Sequence, residues 1–330
     1  MLGVPRCAVE AMAPFNPQLD SRNPKHSLHR LNGMATLKDI QLKINAVKKT
    51  QQITKAMNMV AASRLRGAQT GMEAFRPYAN KFSEVLGSLA ERAGEEANPL
   101  LVPKAEVKNV HVVLCTSDRG LCGGFNMNLI EKAGAFMKEK AAAGIDFSFT
   151  NLGKKGRDWC RKENLQIDSE HLGVVGASFG FNIAARIGKN LIDAFLAGTY
   201  DEVYIVYAEF VSMSRQVPAL QQLLPIPPIE TGEAEQVEET GSYMPEHICE
   251  PSTDSLLGDM LPRNVYVQIY SALLETSTSE HAARMMAMDN ATKACRDMIE
   301  NLTLVYNKAR QAAITAELMD IVGGAEALRG

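Results

Sequence analysis

The chain has 330 residues, a formal net charge of −3, 46% hydrophobic residues and only 6% aromatic ones. That length fits one large domain or two ordinary ones, and the slight acidity argues against a nucleic-acid binder that works by overall basicity. No stretch reaches the roughly 18 uninterrupted apolar residues of a membrane-spanning helix. The six cysteines form neither a C-x-x-C pair nor a ligand cluster with histidine, so free thiols are expected rather than zinc or disulfides.

Residues 1–33 contain Pro5, Pro14, Pro17 and Pro24 without helical or strand period, and they lack the apolar core of a secretory signal. A disordered extension is expected there, or a start assigned too early with Met34 the first residue. From Thr36 the pattern changes. Leu37, Ile40, Ile44 and Val47 open a series spaced by threes and fours, which resumes with Ala61, Leu65, Ala68, Met72, Phe75, Ala79, Phe82, Leu86 and Leu89. A 3.5-residue period marks a helix that supercoils around a partner. Thr36 suits the N-cap, with Asp39 in the first turn, and fifty-odd residues would make a rod on the order of 80 Å long.

The seam carries polar Gln51, Thr54 and Asn58 where apolar residues belong, while Ile53, Met57 and Val60 form a second stripe displaced around the helix. Either that stripe touches another protein or the supercoil stutters locally. Between residues 36 and 76, Lys38, Lys43, Lys48, Lys49, Lys55, Arg64, Arg66 and Arg76 face only Asp39 and Glu73. Such a run is a solvated basic face or the counterpart of an acidic protein surface. Nucleic acid is disfavoured because no aromatic is interleaved for base stacking.

Residues 107–230 alternate between types. Val107–Cys115, Asp146–Asn151, Val203–Phe210 and Val217–Leu224 read as strands, and Phe125–Ala143, Arg157–Glu163 and Ser178–Ala197 as helices. Strand–helix alternation implies a small α/β domain with a mostly parallel sheet. Pro225–Pro251, with its P-I-P-P and scattered glutamates, reads as an exposed loop. After Pro262 the three-four spacing returns through Tyr270, Leu273, Ser277, His281, Arg284, Met288, Ala291, Cys295, Met298, Leu302, Val305, Ala309, Ala312, Ala316 and Met319, with Gly323-Gly324 as the expected stop. Two seamed helices at opposite ends most simply bury against each other as a long antiparallel coiled coil; two unrelated helices of a bundle are the alternative. The expected organisation is an extension at 1–33, an N-terminal helix at 34–95, a central α/β domain at 96–252 with an exposed loop at 225–251, and a C-terminal helix at 253–330.

One loop raises the question of chemistry. T-S-D-R-G-L-C-G-G-F-N, residues 116–126, follows a strand and opens a helix, but it fits neither G-x-G-x-x-G nor G-x-x-x-x-G-K-S/T. It has no phosphate-binding lysine, and Asp118 puts a carboxylate in its mouth. Arg119 and the helix amides could attract an anion; otherwise the glycines serve a tight turn and close packing. The histidines at 26, 29, 111, 171, 247 and 281 are scattered, and neither G-x-S-x-G nor H-E-x-x-H occurs. No catalytic, cofactor or metal residue is assigned.

Four segments, T-Q-Q-I-T-K-A-M-N-M-V-A-A-S-R-L-R (50–66), the 116–126 loop, S-E-H-A-A-R-M-M-A-M-D-N-A-T (279–292) and L-V-Y-N-K-A-R-Q-A-A-I-T-A-E-L-M-D-I-V-G-G-A (304–325), resemble the gamma subunit of F-type ATP synthases, in order and over essentially Met34 to the end. The resemblance implies a non-catalytic central-stalk rotor of a proton-translocating ATP synthase. Its terminal helices would form a shaft inside three alpha and three beta subunits, and its α/β domain would lie against the epsilon subunit and the c-ring, peripheral to the cytoplasmic face of a bacterial inner membrane. Rotor–stator contacts implied in this way are Met57, Lys55, Glu280, Arg284, Gln311 and Thr315, with Glu250 at the c-ring foot. The charge-poor C-terminal run suits a tip turning in an apolar sleeve. A phosphate- or nucleotide-binding α/β enzyme with coiled-coil arms is the competing expectation.

Overall fold

A computed structural model describes residues 36–93, 98–104, 106–141, 144–176, 179–227 and 253–328. The expected extension at 1–33, most of the 225–251 loop and Glu250 lie outside these. The elements in chain order are α1 (Leu37–Ala93), β1 (Asn109–Cys115), α2 (Phe125–Ala141), β2 (Asp146–Leu152), α3 (Lys154–Lys162), β3 (Gln166–His171), α4 (Phe181–Leu196), β4 (Glu202–Ser212), β5 (Arg215–Leu224) and α5 (Thr253–Ala327). The chain divides into two compact units, one of residues 1–47 with 299–330 and one of residues 48–298.

α1 begins as its sequence dictates. Thr36 and Asp39 exchange hydrogen bonds: the Thr36 amide and hydroxyl both donate to the Asp39 carboxylate, and the Asp39 amide donates to the Thr36 hydroxyl. This is a capping box with aspartate in the acidic place. The helix passes through Pro77 without ending, and α5 passes likewise through Pro262. α5 therefore starts at Thr253, nine residues before that proline, and it continues through Gly323-Gly324 to Ala327 rather than stopping there.

In the larger unit the sheet runs β3-β2-β1-β4-β5, with β1, β2, β3 and β4 parallel and β5 antiparallel to β4. β1 is buried on both faces, as a central parallel strand must be. Val110, Val112 and Leu114 join Phe125, Leu129, Phe136 and Phe149 in one core beneath α2 and α3. Val113 and Cys115 face a second core with Ile187 and Leu191 of α4, Leu261 and Ile269 of α5, and Leu86 and Leu89 of α1. α4 lies so close to α5 that a Cβ on Gly188 would come 2.4 Å from the Tyr266 ring.

β3 is absent from the sequence reading for a physical reason. Q-I-D-S-E-H at the sheet edge alternates exposed and half-buried, so no apolar run announces it. Its side chains instead extend a polar cluster. His111 on β1 is fully buried, with Nδ1 2.6 Å from the Ser148 hydroxyl and Nε2 2.8 Å from that of Thr150. Tyr200 stacks on the imidazole at 4.2 Å and donates to Asp168 at 2.6 Å. Burial lowers the His111 pKa to about 4, against the opposing pull of Asp168.

Candidate functional site: the helix pair and the loops that clasp it

Within the larger unit α1 and α5 run antiparallel, because partners fall on α5 as they rise on α1. The Thr54 and Thr292 hydroxyls lie 2.8 Å apart, and Asn58 Nδ2 donates to the Met285 carbonyl at 2.9 Å. Gly71 faces Leu274, and the Phe75 and Tyr270 rings meet edge-on at 4.7 Å. The predicted seam of α1 is the buried one, with Ala61, Leu65, Met72, Leu86 and Leu89 at 5% exposure or less. The polar gap is part of the seam rather than a stutter, since Thr54 is buried and Asn58 bonds across it. Ile53 and Val60 consequently stand 60% and 55% exposed on the outer side, with Met57 half-buried and Lys55 exposed beside them.

On α5 the predicted seam holds through Cys295; beyond it Leu302 and Ala309 keep their predicted places while every second position moves on by one residue. Met298 and Val305 are exposed, and Ile299, Leu302, Tyr306, Ala309 and Ala313 are the half-buried positions. A 3.5-residue period falls between two residues at every second step, so the sequence alone does not choose between them. In the smaller unit Ile40 and Ile44 are buried, as the seam predicts, whereas residues 314–328 are exposed throughout. Gln311 and Thr315 are exposed, and the Thr315 hydroxyl donates to the Gln311 carbonyl.

The middle of α5 is enclosed on all sides. Residues 276–282 are buried although they read T-S-T-S-E-H-A. The β1–β4 ladder ends with Leu114 opposite Val206. Two residues further, the Ala208 amide donates to Thr276 Oγ1 at 3.3 Å, and the Ser279 hydroxyl donates to the Ala208 carbonyl at 3.2 Å. Side chains of α5 thus take the place of a missing strand, because buried backbone groups need partners. No periodicity signals this; the small hydroxyl residues were visible, but not their target.

The glycine loop closes against the same stretch. Asp118 accepts from the Lys154 amide at 3.0 Å, at the start of α3, and from the Gly173 amide at 2.9 Å. Asp118 is thus engaged at the start of α3 and at the turn after β3, not at the helix that the glycine loop opens. Gly153, at φ 124°, crosses so close to Thr116 that a Cβ would lie 2.0 Å from its carbonyl oxygen. The Ser117 amide donates to Asn126 Oδ1 at 2.9 Å, and Cys122 is buried behind the loop. Within the loop itself Gly123, at φ 61°, takes a backbone conformation that favours glycine.

Glu280 and Arg284 are turned inward. Arg284 donates to Glu280 at 2.7 Å across one helical turn, and their side chains are only 11% and 3% exposed. The same Arg284 nitrogen reaches the Arg119 and Gly120 carbonyls at 3.3 and 3.4 Å. Burial raises the Glu280 carboxyl above the ordinary glutamate range, with Arg284 opposing. His281 next to it is lowered to about 4 by burial and by the adjacent Arg284 and Arg64. An open cleft of about 1300 Å³ lies beside them, walled by α1, α5 and the two loops.

Among the described residues no group of His, Cys, Asp and Glu could hold a metal, and no helix is long and apolar enough to cross a membrane. The fold and surfaces define a class: paired helices with bare faces, braced by a small α/β unit, built to engage other proteins. The comparisons place that class. The family described as ATP synthase matches residues 36–328. The chain is 67% identical over 298 residues to the ATP synthase gamma chain of Desulfosudis oleivorans, covering 90% of this chain and 100% of that one. Against the gamma chain of Nitratidesulfovibrio vulgaris the identity is 53%, again over 90% and 100%. In fold it is similar to a chain of the Euglena gracilis mitochondrial ATP synthase OSCP/F1/c-ring structure, with a TM-score of 0.61 and 19% identity over 90% of this chain and 95% of that one. A chain of the Tetrahymena thermophila central stalk and c-ring gives 0.53 and 24% over 72% and 99%. This chain belongs to the family of ATP synthase gamma chains.

Proposed function

We propose that the chain is the non-catalytic central-stalk rotor of a proton-translocating ATP synthase, transmitting ion-driven rotation to the nucleotide sites of surrounding beta subunits. The observation that carries this reading is the bare face of α1. A helix whose inner seam is polar at Thr54 and Asn58 while Ile53 and Val60 stand in the open is built to meet a second protein. The exposed Lys55, Arg64 and Arg66 beside that face suit an acidic surface.

The partners in this reading are three alpha and three beta subunits around the helices, with an epsilon subunit and a c-ring at the α/β domain. The assembly is peripheral to the cytoplasmic face of a bacterial inner membrane, as suits the bacterial relatives. Met57, Lys55, Gln311 and Thr315 would meet the stator directly, Glu280 and Arg284 through the loop they hold, and Glu250 the c-ring. The competing enzyme reading requires anion affinity at the glycine loop, which carries Asp118 and no phosphate-binding lysine. Affinity purification from native membranes tests the assignment. Alpha and beta subunits should accompany the chain, and Gln311→Ala should lower coupled ATPase activity in a complex that still assembles. Recovery of the chain without them, or phosphate binding by calorimetry, contradicts it.

A further inference from the structure

The ion pair on α5 touches two loops at once. Arg284 holds the Arg119 and Gly120 carbonyls. Glu280 fills the space beside Gly176, at φ 79°, where a Cβ would lie 2.2 Å from its Oε2. That oxygen is buried and has no hydrogen-bond partner among the described residues. Asp118 ties the two loops to each other through the Gly173 amide. The tip so held is unusual, for Leu121 has φ 66° and is 61% exposed. A leucine in the left-handed region is an outlier that needs surrounding structure to hold it, and most of its side chain stands in solvent.

We propose that Glu280 and Arg284 are positioning residues: their pair latches the 118–121 loop and the 173–176 turn onto α5, and so fixes where exposed Arg119 and Leu121 stand beside the helices. Both latch residues are nearly buried, so the tip is the main route by which changing them reaches a partner. The consequence for coupling rests on the rotor reading; the latch itself does not. Charge agrees, because Glu280 and Arg284 neutralise each other and Asp118 is engaged by backbone amides. Arg64 and Arg119, which have no ion pair among the described residues, leave the cleft beside the tip basic and fitted to an acidic segment.

Cys122 reports on the latch, since it is 2% exposed under the loop, with its Sγ 3.9 Å from the Arg119 carbonyl. In the full-length chain with Cys7, Cys249 and Cys295 changed to Ser, maleimide labelling would be followed by peptide mass spectrometry. The buried Cys115 and Cys160 serve as folding controls. Arg284→Ala should label Cys122 about tenfold faster, equivalent to about 1.4 kcal/mol of easier local opening, with the controls unchanged. Arg284→Lys should fall between, and Gly176→Ala should reproduce the effect with Arg284 intact by displacing the carboxylate. In the assembled complex, Leu121→Asp should lower coupled ATPase activity while Cys122 stays protected. An unchanged Cys122 rate in Arg284→Ala, or an equal rise at all three cysteines, overturns the latch. Full latch behaviour with wild-type activity in Leu121→Asp overturns the role of the tip, and a complex that never forms counts against the rotor reading instead.

Discussion

Residues 276–281 of α5 read T-S-T-S-E-H and are 0 to 4% exposed, whereas Ile314, Leu318, Met319, Ile321 and Val322 of the same helix are 55 to 69% exposed. The first stretch is polar and enclosed; the second is apolar and bare. Burying hydroxyls and a carboxylate costs free energy unless they find partners; here Thr276 and Ser279 meet the Ala208 backbone of β4, Thr278 donates to the Leu274 carbonyl, and Glu280 accepts from Arg284. The inner stretch therefore fixes the helix at one place against the sheet. Leaving five large apolar side chains in water is the opposite cost, and it is removed only when something covers them. One helix is finished by its own chain in the middle and left bare at its end.

The sharpest way to break that comparison is one substitution made twice. Leu273 is fully buried, and Leu273→Ala should destabilise the chain by about 2–5 kcal/mol in chemical denaturation. Next in size is Thr276→Val, which removes the acceptor of the Ala208 amide and should cost about 1–3 kcal/mol. A comparable loss for a valine at an exposed threonine would show that the strand substitution has no special weight. The histidines make a pH-dependent contribution. His111 and His281 are both held near pKa 4, below the ordinary value of 6.5. The unfolded chain takes up their protons first, so stability should fall as pH drops from about 6.5 toward 4. His111→Gln should flatten that slope in a series of thermal melts. Smallest is Leu318→Ala, expected to change the stability of the isolated chain by no more than about 0.5 kcal/mol, yet to reduce coupled activity once the complex is assembled.

How much of this was legible in the sequence depended on which force left a periodic trace. The α1 seam from Leu37 to Leu89 was readable, because helix pairing repeats every 3.5 residues. The seam beyond Cys295 was readable only to within one position, since Met298 and Ile299 straddle the same half-step. Edge strand β3 left no apolar trace, because its side chains serve the His111 cluster and solvent rather than a core. Glu280 and Arg284 were singled out by resemblance, but their inward direction was not legible. It depends on the Arg119 and Gly120 carbonyls, which are far away in sequence and whose identity no side chain encodes. The glycine loop posed an ambiguity between anion binding and backbone geometry, and the structure shows the second, with Gly123 at φ 61° and Asp118 tied to the Lys154 and Gly173 amides.

Watching single molecules shows whether the chain turns inside a collar of other subunits. With the surrounding subunits fixed to a surface and a bead attached to a cysteine placed on the exposed β4–β5 turn, ATP should drive stepwise rotation in one direction. Hydrolysis that proceeds at full rate while the bead stays still would contradict the account.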